Sequence, residues 1–373
     1  MSDSGTSIAV IGLTLAAFAM SSTGSVVAQP PELQVRDVVP RDVRKMYERG
    51  LHFLAATQAA DGSWDGGQPG PEMQRGLENA ARVEGSWAEG GKQGSGVTAL
   101  ALLAFLASGE DANYGIYSSH IRKALRNLIR AQDANTGYIG PSMYHHGFAM
   151  LALAESYGTV DDGNLWIAEK APRSIGQALE LAVRTAITAQ KSNPFNAWRY
   201  SPSGRDADVS VSGSVIIGLL AARNAGIEVP DESIDKAIAY LRTMTEASGD
   251  VSYENLGNKI STSMARVAIV TLACAVARRK DLAEYKATLG YLKERIYEPI
   301  GPFGEYTLYY EAQALFQGDV AAWGKWNEIV VRRLTEAQQP DGSIKGRFTP
   351  PISTSLSLLS LALNYRLLPV YER

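Results

Sequence analysis

The chain has 373 residues, 45% of them hydrophobic and 20% charged, with a formal net charge of −3. This is ordinary globular composition, enough for one large domain or two small ones. It leaves no basic footprint, which argues against nucleic acid and against anionic membrane surfaces as partners.

Ile8 to Met20 form a 13-residue apolar run, followed by small and polar residues up to Val26-Val27-Ala28. This pattern reads as a secretory signal peptide over 1–28, although the segment before it carries Asp3 and no Lys or Arg. A membrane span needs about 20 apolar residues. The mature chain is therefore expected to be exported, periplasmic or extracellular, without a span. Pro30-Pro31 and Pro40 mark a linker over 29–40.

From residue 41 two kinds of helix alternate. The first is amphipathic: Ile121, Ala124, Leu125, Leu128 and Ile129 follow helical spacing, while Arg122, Lys123, Arg126 and Arg130 take the other face. Such helices are predicted at about 41–57, 119–131, 174–189, 231–245, 282–297 and 323–337. The second kind is apolar nearly all round and must be covered on most sides. It is predicted at about 95–108, 143–157, 209–225, 260–277, 306–317 and 352–367. Six hairpins in outer-then-inner order close most economically into a ring that leaves no end repeat unburied. The expected fold is all-α, a single (α/α)6 barrel over 41–373 with one Gly-, Glu- and Arg-rich insertion at about 66–92. The single Cys274 lies in an apolar helical run, where it packs and has no internal disulfide partner.

The turns repeat as well. Arg49-Gly50-x-x-Phe53-Leu54-x-x-x-Gln58-x-x-x-Gly62-x-Trp64 returns in weaker form near Gln132, Gln190 and Gln338. This stretch resembles the QW repeat of squalene–hopene and oxidosqualene cyclases. The same toroid serves protein prenyltransferase β subunits and complement-like thioester domains. The resemblance covers roughly residues 42–367 and implies the fold; the motif itself ties hairpins together and implies no chemistry.

Each catalytic branch of that superfamily implies a signature. Cyclases donate a proton from an Asp-x-Asp-Asp motif. Asp206-Ala207-Asp208-Val209 matches its first two acids and replaces the third, and Asp208 also suits a helix N-cap. Cyclases are further expected to join two helical domains, where this chain has one. The prenyltransferase zinc set cannot be assembled around Cys274, and the thioester Cys-Gly-Glu-Gln segment is absent. No metal or cofactor is expected.

The remaining clusters stand where inner helices begin. Tyr144-His145-His146 opens the second, Lys259 precedes the fourth, and Tyr306, Tyr309, Tyr310 and Glu311 open the fifth. Adjacent histidines lie about 100° apart on a helix, so they do not chelate one metal. The reading drawn from these features is an exported binding or scaffold module without the chemistry of its relatives, its ligand a glycan, an isoprenoid or a protein. The rival is an acid/base enzyme at the barrel mouth, acting on polysaccharide or terpenoid. Its catalytic candidates are Asp208, His145 and Glu311, with Asp206, Tyr144, His146, Lys259, Tyr309 and Tyr310 binding ligand. One shared pocket for Asp208 and Glu311 would mark the enzyme.

Overall fold

Two hydropathy patterns alternate along the chain, and the computed structural model turns them into two concentric layers. It describes residues 39–65, 94–166, 171–253, 263–298 and 304–365. The leader, all of the linker but its last two residues, the 66–92 insertion and Lys259 lie outside the described residues.

The half-wet helices are α1 (Arg41–Thr57), α3 (Ser118–Ala131), α6 (Ile175–Ser192), α8 (Asp231–Thr243), α10 (Ala283–Glu294) and α12 (Val320–Ala337). Between them run α2 (Ser95–Leu106), α4 (Met143–Ser156), α7 (Val209–Asn224), α9 (Met264–Val276), α11 (Gly304–Gly318) and α13 (Pro350–Leu361). In α3 the five residues of the apolar stripe are the five that are buried. In α2 every residue is buried, as a helix without a polar stripe requires. One short helix, α5 (Asp162–Leu165), escapes the hydropathy pattern. The described residues contain no strand, only three isolated bridges, all within turns that follow outer helices.

The inner helices pack in the order α2, α4, α7, α9, α11, α13, and α13 packs on α2 again, so the ring is closed. Each inner helix is separated from the next by one long helix running back. All six therefore point the same way, and their N-termini gather at one end, the mouth.

Side chains of the turns stitch the outer layer. The amide of Gln58 donates to its own turn at Gly62 O (3.0 Å) and to His120 O on the next outer helix (3.0 Å). Gln132 repeats this with Gly137 O and Ala178 O, and Gln190 with Asn196 O and Ser233 O. Gln338 does the same with Gly342 O (3.1 Å) and reaches Met46 O of α1 (2.9 Å), which joins the last repeat to the first. Gly342 there has φ 92°, and a side chain would overlap the carbonyl of Arg49. Glycine is thus required twice over, by conformation and by contact. In the third copy Asn196 takes the left-handed position at φ 53°, and the aromatic returns as Trp198, whose indole N–H donates to Ala186 O (2.8 Å). Trp64 makes the matching bond to Leu54 O (2.8 Å).

Candidate functional site at the barrel mouth

Asp208 sits at the start of the third inner helix. The Val211 N–H donates to its Oδ1 at 2.8 Å, so the residue is the N-cap of α7. One carboxylate oxygen suffices for a cap. The other, Oδ2, lies 3.3 Å from Arg199 Nε, and the side chain is wholly buried. Burial dominates its electrostatics: it lifts the proton affinity to about 7, against the opposing pull of the Val211 amide and the Arg199 guanidinium.

Arg199 comes from the turn before α7 and is held in place by two rings. Its guanidinium lies over Tyr200 (5.2 Å) and Tyr253 (5.5 Å), and the two tyrosine hydroxyls share a hydrogen bond of 2.9 Å. Arg266 of α9, also buried, lies 5.6 Å from the centre of the same Tyr253 ring. Arg199 Nη1 additionally reaches Asp206 Oδ2 at 3.6 Å. Asp206 is the solvent-facing member, with its side chain 54% exposed. The sequence pattern points to both aspartates but not to Arg199, Tyr200 and Tyr253, for which the Arg-Tyr dipeptide directly after Trp198 is the available signal.

The two histidines part company, as their 100° offset requires. The Ile139 N–H donates to His146 Nδ1 (3.1 Å), which leaves the proton on Nε2, donating to Ala182 O of α6 (3.0 Å). His146 thus faces outward as a neutral tie between layers, its proton affinity pushed down to about 4 by burial. His145 pairs through Nδ1 with Ser142 Oγ (2.8 Å) and is likewise depressed to about 4 by burial. Neither ring carries a charge at neutral pH.

Tyr144 points into the lumen. Helices α4 and α11 stand second and fifth in the ring and therefore face each other across it. Tyr144 meets Tyr306 at 6.1 Å between ring centres, and Phe148 meets Tyr309 at 6.0 Å. Tyr310 completes the group, 5.0 Å from Tyr306 and 4.8 Å from Tyr309. These five aromatic side chains, all buried, span the barrel axis below the mouth. Tyr309 and Tyr310 thus sit in the lumen, packed ring against ring.

Glu311 does not join them. Its Oε2 accepts from the Trp326 indole N–H of outer helix α12 at 3.0 Å. The carboxyl borders a water-sized cavity of about 20 Å³ lined by Met264, Arg295, Trp326 and Arg333. Helical geometry gives the reason: five residues beyond Tyr306 is about 140° round the helix, away from the lumen. None of the residues named around Asp208 lines the Glu311 cavity, so the shared pocket that would have marked the enzyme is not seen among the described residues. A carboxylate that sequence reading passed over does stand at the mouth. Glu305, in the first turn of α11, accepts from Arg347 N (3.1 Å) and Ser353 Oγ (3.2 Å), with its proton affinity raised by burial. Among the described residues no group of His, Cys, Asp and Glu is placed to hold a metal ion, and no helix is long and apolar enough to cross a membrane.

No protein-family model and no curated protein matches the sequence. Solved structures do. An alpha-1,6-mannanase of Salegentibacter sp. HEL1_6, an inactive variant with two consecutive aspartates changed to asparagine and alpha-1,6-mannotriose bound, is similar with a TM-score of 0.61 and 12% identity. The match covers 86% of this chain and 99% of that one. The type II terpene cyclase MstE of Scytonema is similar with a TM-score of 0.56 and 14% identity, over 88% of this chain and 99% of that one. A variant of that cyclase is known with its substrate geranylgeranyl dihydroxybenzoate (TM-score 0.54, 14% identity, 88% of this chain and 98% of that one). At these identities the likeness carries the fold alone, and that fold is the α/α toroid implied by the repeat. One expectation is corrected: a single ring of this size spans nearly the whole MstE chain, so a terpene cyclase does not need two helical domains.

Proposed function

We propose that the chain is an enzyme that donates a proton from Asp208 to an apolar, alkene-bearing substrate of isoprenoid type at the mouth of the lumen. The observation that carries this reading is the divided use of one carboxyl. Oδ1 caps α7, while Oδ2, outside the cap, lies in a buried frame of Arg199, Tyr200 and Tyr253. A carboxyl that still holds its proton near neutral pH is a competent general acid. The mouth is floored by the packed aromatic rings of Tyr144, Phe148, Tyr306, Tyr309 and Tyr310, a setting that suits an apolar chain better than a polyol. Solved toroids similar to this one include enzymes of two classes, a mannanase and a terpene cyclase.

Glycan hydrolysis draws less support. The consecutive aspartates of this chain, Asp161-Asp162, follow the C-terminal end of α4, at the opposite end of the barrel from the mouth. Asp161 accepts from Gly163 N and Asn164 Nδ2, and Asp162 from Ile175 N, so both are tied into the local turn. The test is to incubate the purified chain in D2O with polyprenyl alkenes and, separately, with mannan oligosaccharides. Deuterium built into a cyclised or isomerised isoprenoid, and lost with Asp208→Asn, is the expected result. Cleavage of the glycan, or isoprenoid turnover indifferent to Asp208→Asn, would refute the proposal.

A further inference from the structure

We infer that Arg199 is a counter-ion divided between Asp206 and Asp208, so that Asp206, out in the solvent, acts through the guanidinium on the buried carboxyl. The inference rests on the acid assignment proposed above and names two positioning residues for it. Its basis is the fork of one side chain. Nε lies 3.3 Å from Asp208 Oδ2 and Nη1 lies 3.6 Å from Asp206 Oδ2. Arg199 stacks on Tyr200 and Tyr253, and this holds its plane, so the two carboxylates compete for one charge in a fixed geometry. Their environments differ sharply: the Asp208 side chain is fully buried and that of Asp206 is 54% exposed. Asp206 therefore exchanges ions and protons with solvent, and Asp208 feels the change through Arg199.

Among the described residues, other titratable and charged groups also face Asp208. The turn after α8 contributes Tyr253, and α9 contributes Arg266, stacked on that ring. In the first turn of α4, which packs along α7, the titratable groups are Tyr144, His145 and His146, both histidines neutral. Of the described groups around Asp208, Asp206 is the one with its side chain largely in solvent.

The experiment reads the carboxyl directly. Wild type, Asp206→Asn, Arg199→Gln and the double variant are labelled with 13C-aspartate, and the Asp208 carboxyl is followed by NMR against pH, assigned by its absence in Asp208→Asn. Arg199→Gln should raise the Asp208 midpoint by about 1–2 pH units, because an opposite charge is removed. Asp206→Asn should lower it, because one carboxylate fewer then competes with Asp208 for Arg199. In the Arg199→Gln background the effect of Asp206→Asn should shrink to less than half. If it persists undiminished there, or if both single variants move the midpoint the same way, the inference is overturned. Arg199→Lys keeps the charge but not the fork, and covers the case in which Arg199→Gln does not fold. With Arg199→Lys in its place, Asp206→Asn should again lower the midpoint less than in wild type, and an undiminished effect again overturns the inference. Midpoints that move as expected while turnover stays insensitive to pH would refute the acid assignment and leave this coupling standing.

Discussion

Asp208 and Asp319 occupy the same position in two helices and behave as opposites. Each is an N-cap whose carboxylate accepts from the third amide of its helix, at 2.8 Å from Val211 N and 3.0 Å from Ala322 N. Asp319 opens an outer helix. Lys293 beside it, then the Ala322 amide, hold its carboxyl below the usual range. Asp208 opens an inner helix, where burial outweighs both its cap and Arg199 and pushes the carboxyl up to about 7. The layer decides what the residue becomes. An outer start is solvated and its cap is structural, whereas an inner start sits at the mouth, and a cap there keeps a proton.

The contrast can be broken by truncation, where the largest stability difference is expected. Asp319→Ala removes one cap and should cost about 1 kcal/mol. Asp208→Ala also strips Arg199 of its inner partner and leaves a buried amide unpaired, and should cost about 2–4 kcal/mol by chemical denaturation. Equal losses would make Asp208 an ordinary cap.

Dependence on pH sharpens the comparison next. Between the usual carboxylate range and about pH 7 the folded chain keeps the Asp208 proton that the unfolded chain has released. Stability linked to Asp208 is therefore full at low pH and falls as pH rises through that window. Asp319 has the reverse sign: its contribution is present above the usual range and is lost as pH falls. Unfolding midpoints against pH should show Asp208→Asn flattening the near-neutral decline, and Asp319→Asn only the acid limb.

The smallest effect concerns the outer stitch. Gln338→Ala removes two hydrogen bonds at the ring closure and should cost about 1–2 kcal/mol in denaturant midpoints, without moving the pH profile. A shifted profile would mean that the outer layer reaches the mouth.

The same layering explains what could be read from sequence. Hydropathy periodicity gave all twelve long helices, with α1 at its observed ends and α9 starting four residues later than expected, because burial on one face or on all faces is written into the residues themselves. The direction of a single side chain is not written there. Glu311 looked like part of a mouth cluster because it follows Tyr309 and Tyr310, yet its angle turns it to Trp326. Simple wheel geometry could have shown that. For Arg199 the Arg-Tyr dipeptide and the two nearby aspartates were a local signal, whereas Glu305 could not be found in this way, since its partners Arg347 and Ser353 belong to the next repeat and only packing brings them together.

The central claim is that Asp208 is a working acid and Asp319 is not, and the most direct measurement is isoprenoid turnover in D2O by wild type, Asp208→Asn and Asp319→Asn. Asparagine preserves the cap in both variants, since its side-chain oxygen accepts the same amide. The expected result is unchanged turnover for Asp319→Asn and a loss of about 10²–10⁴-fold for folded Asp208→Asn. Turnover by Asp208→Asn at the wild-type rate, or no turnover by the folded wild type, would contradict the account.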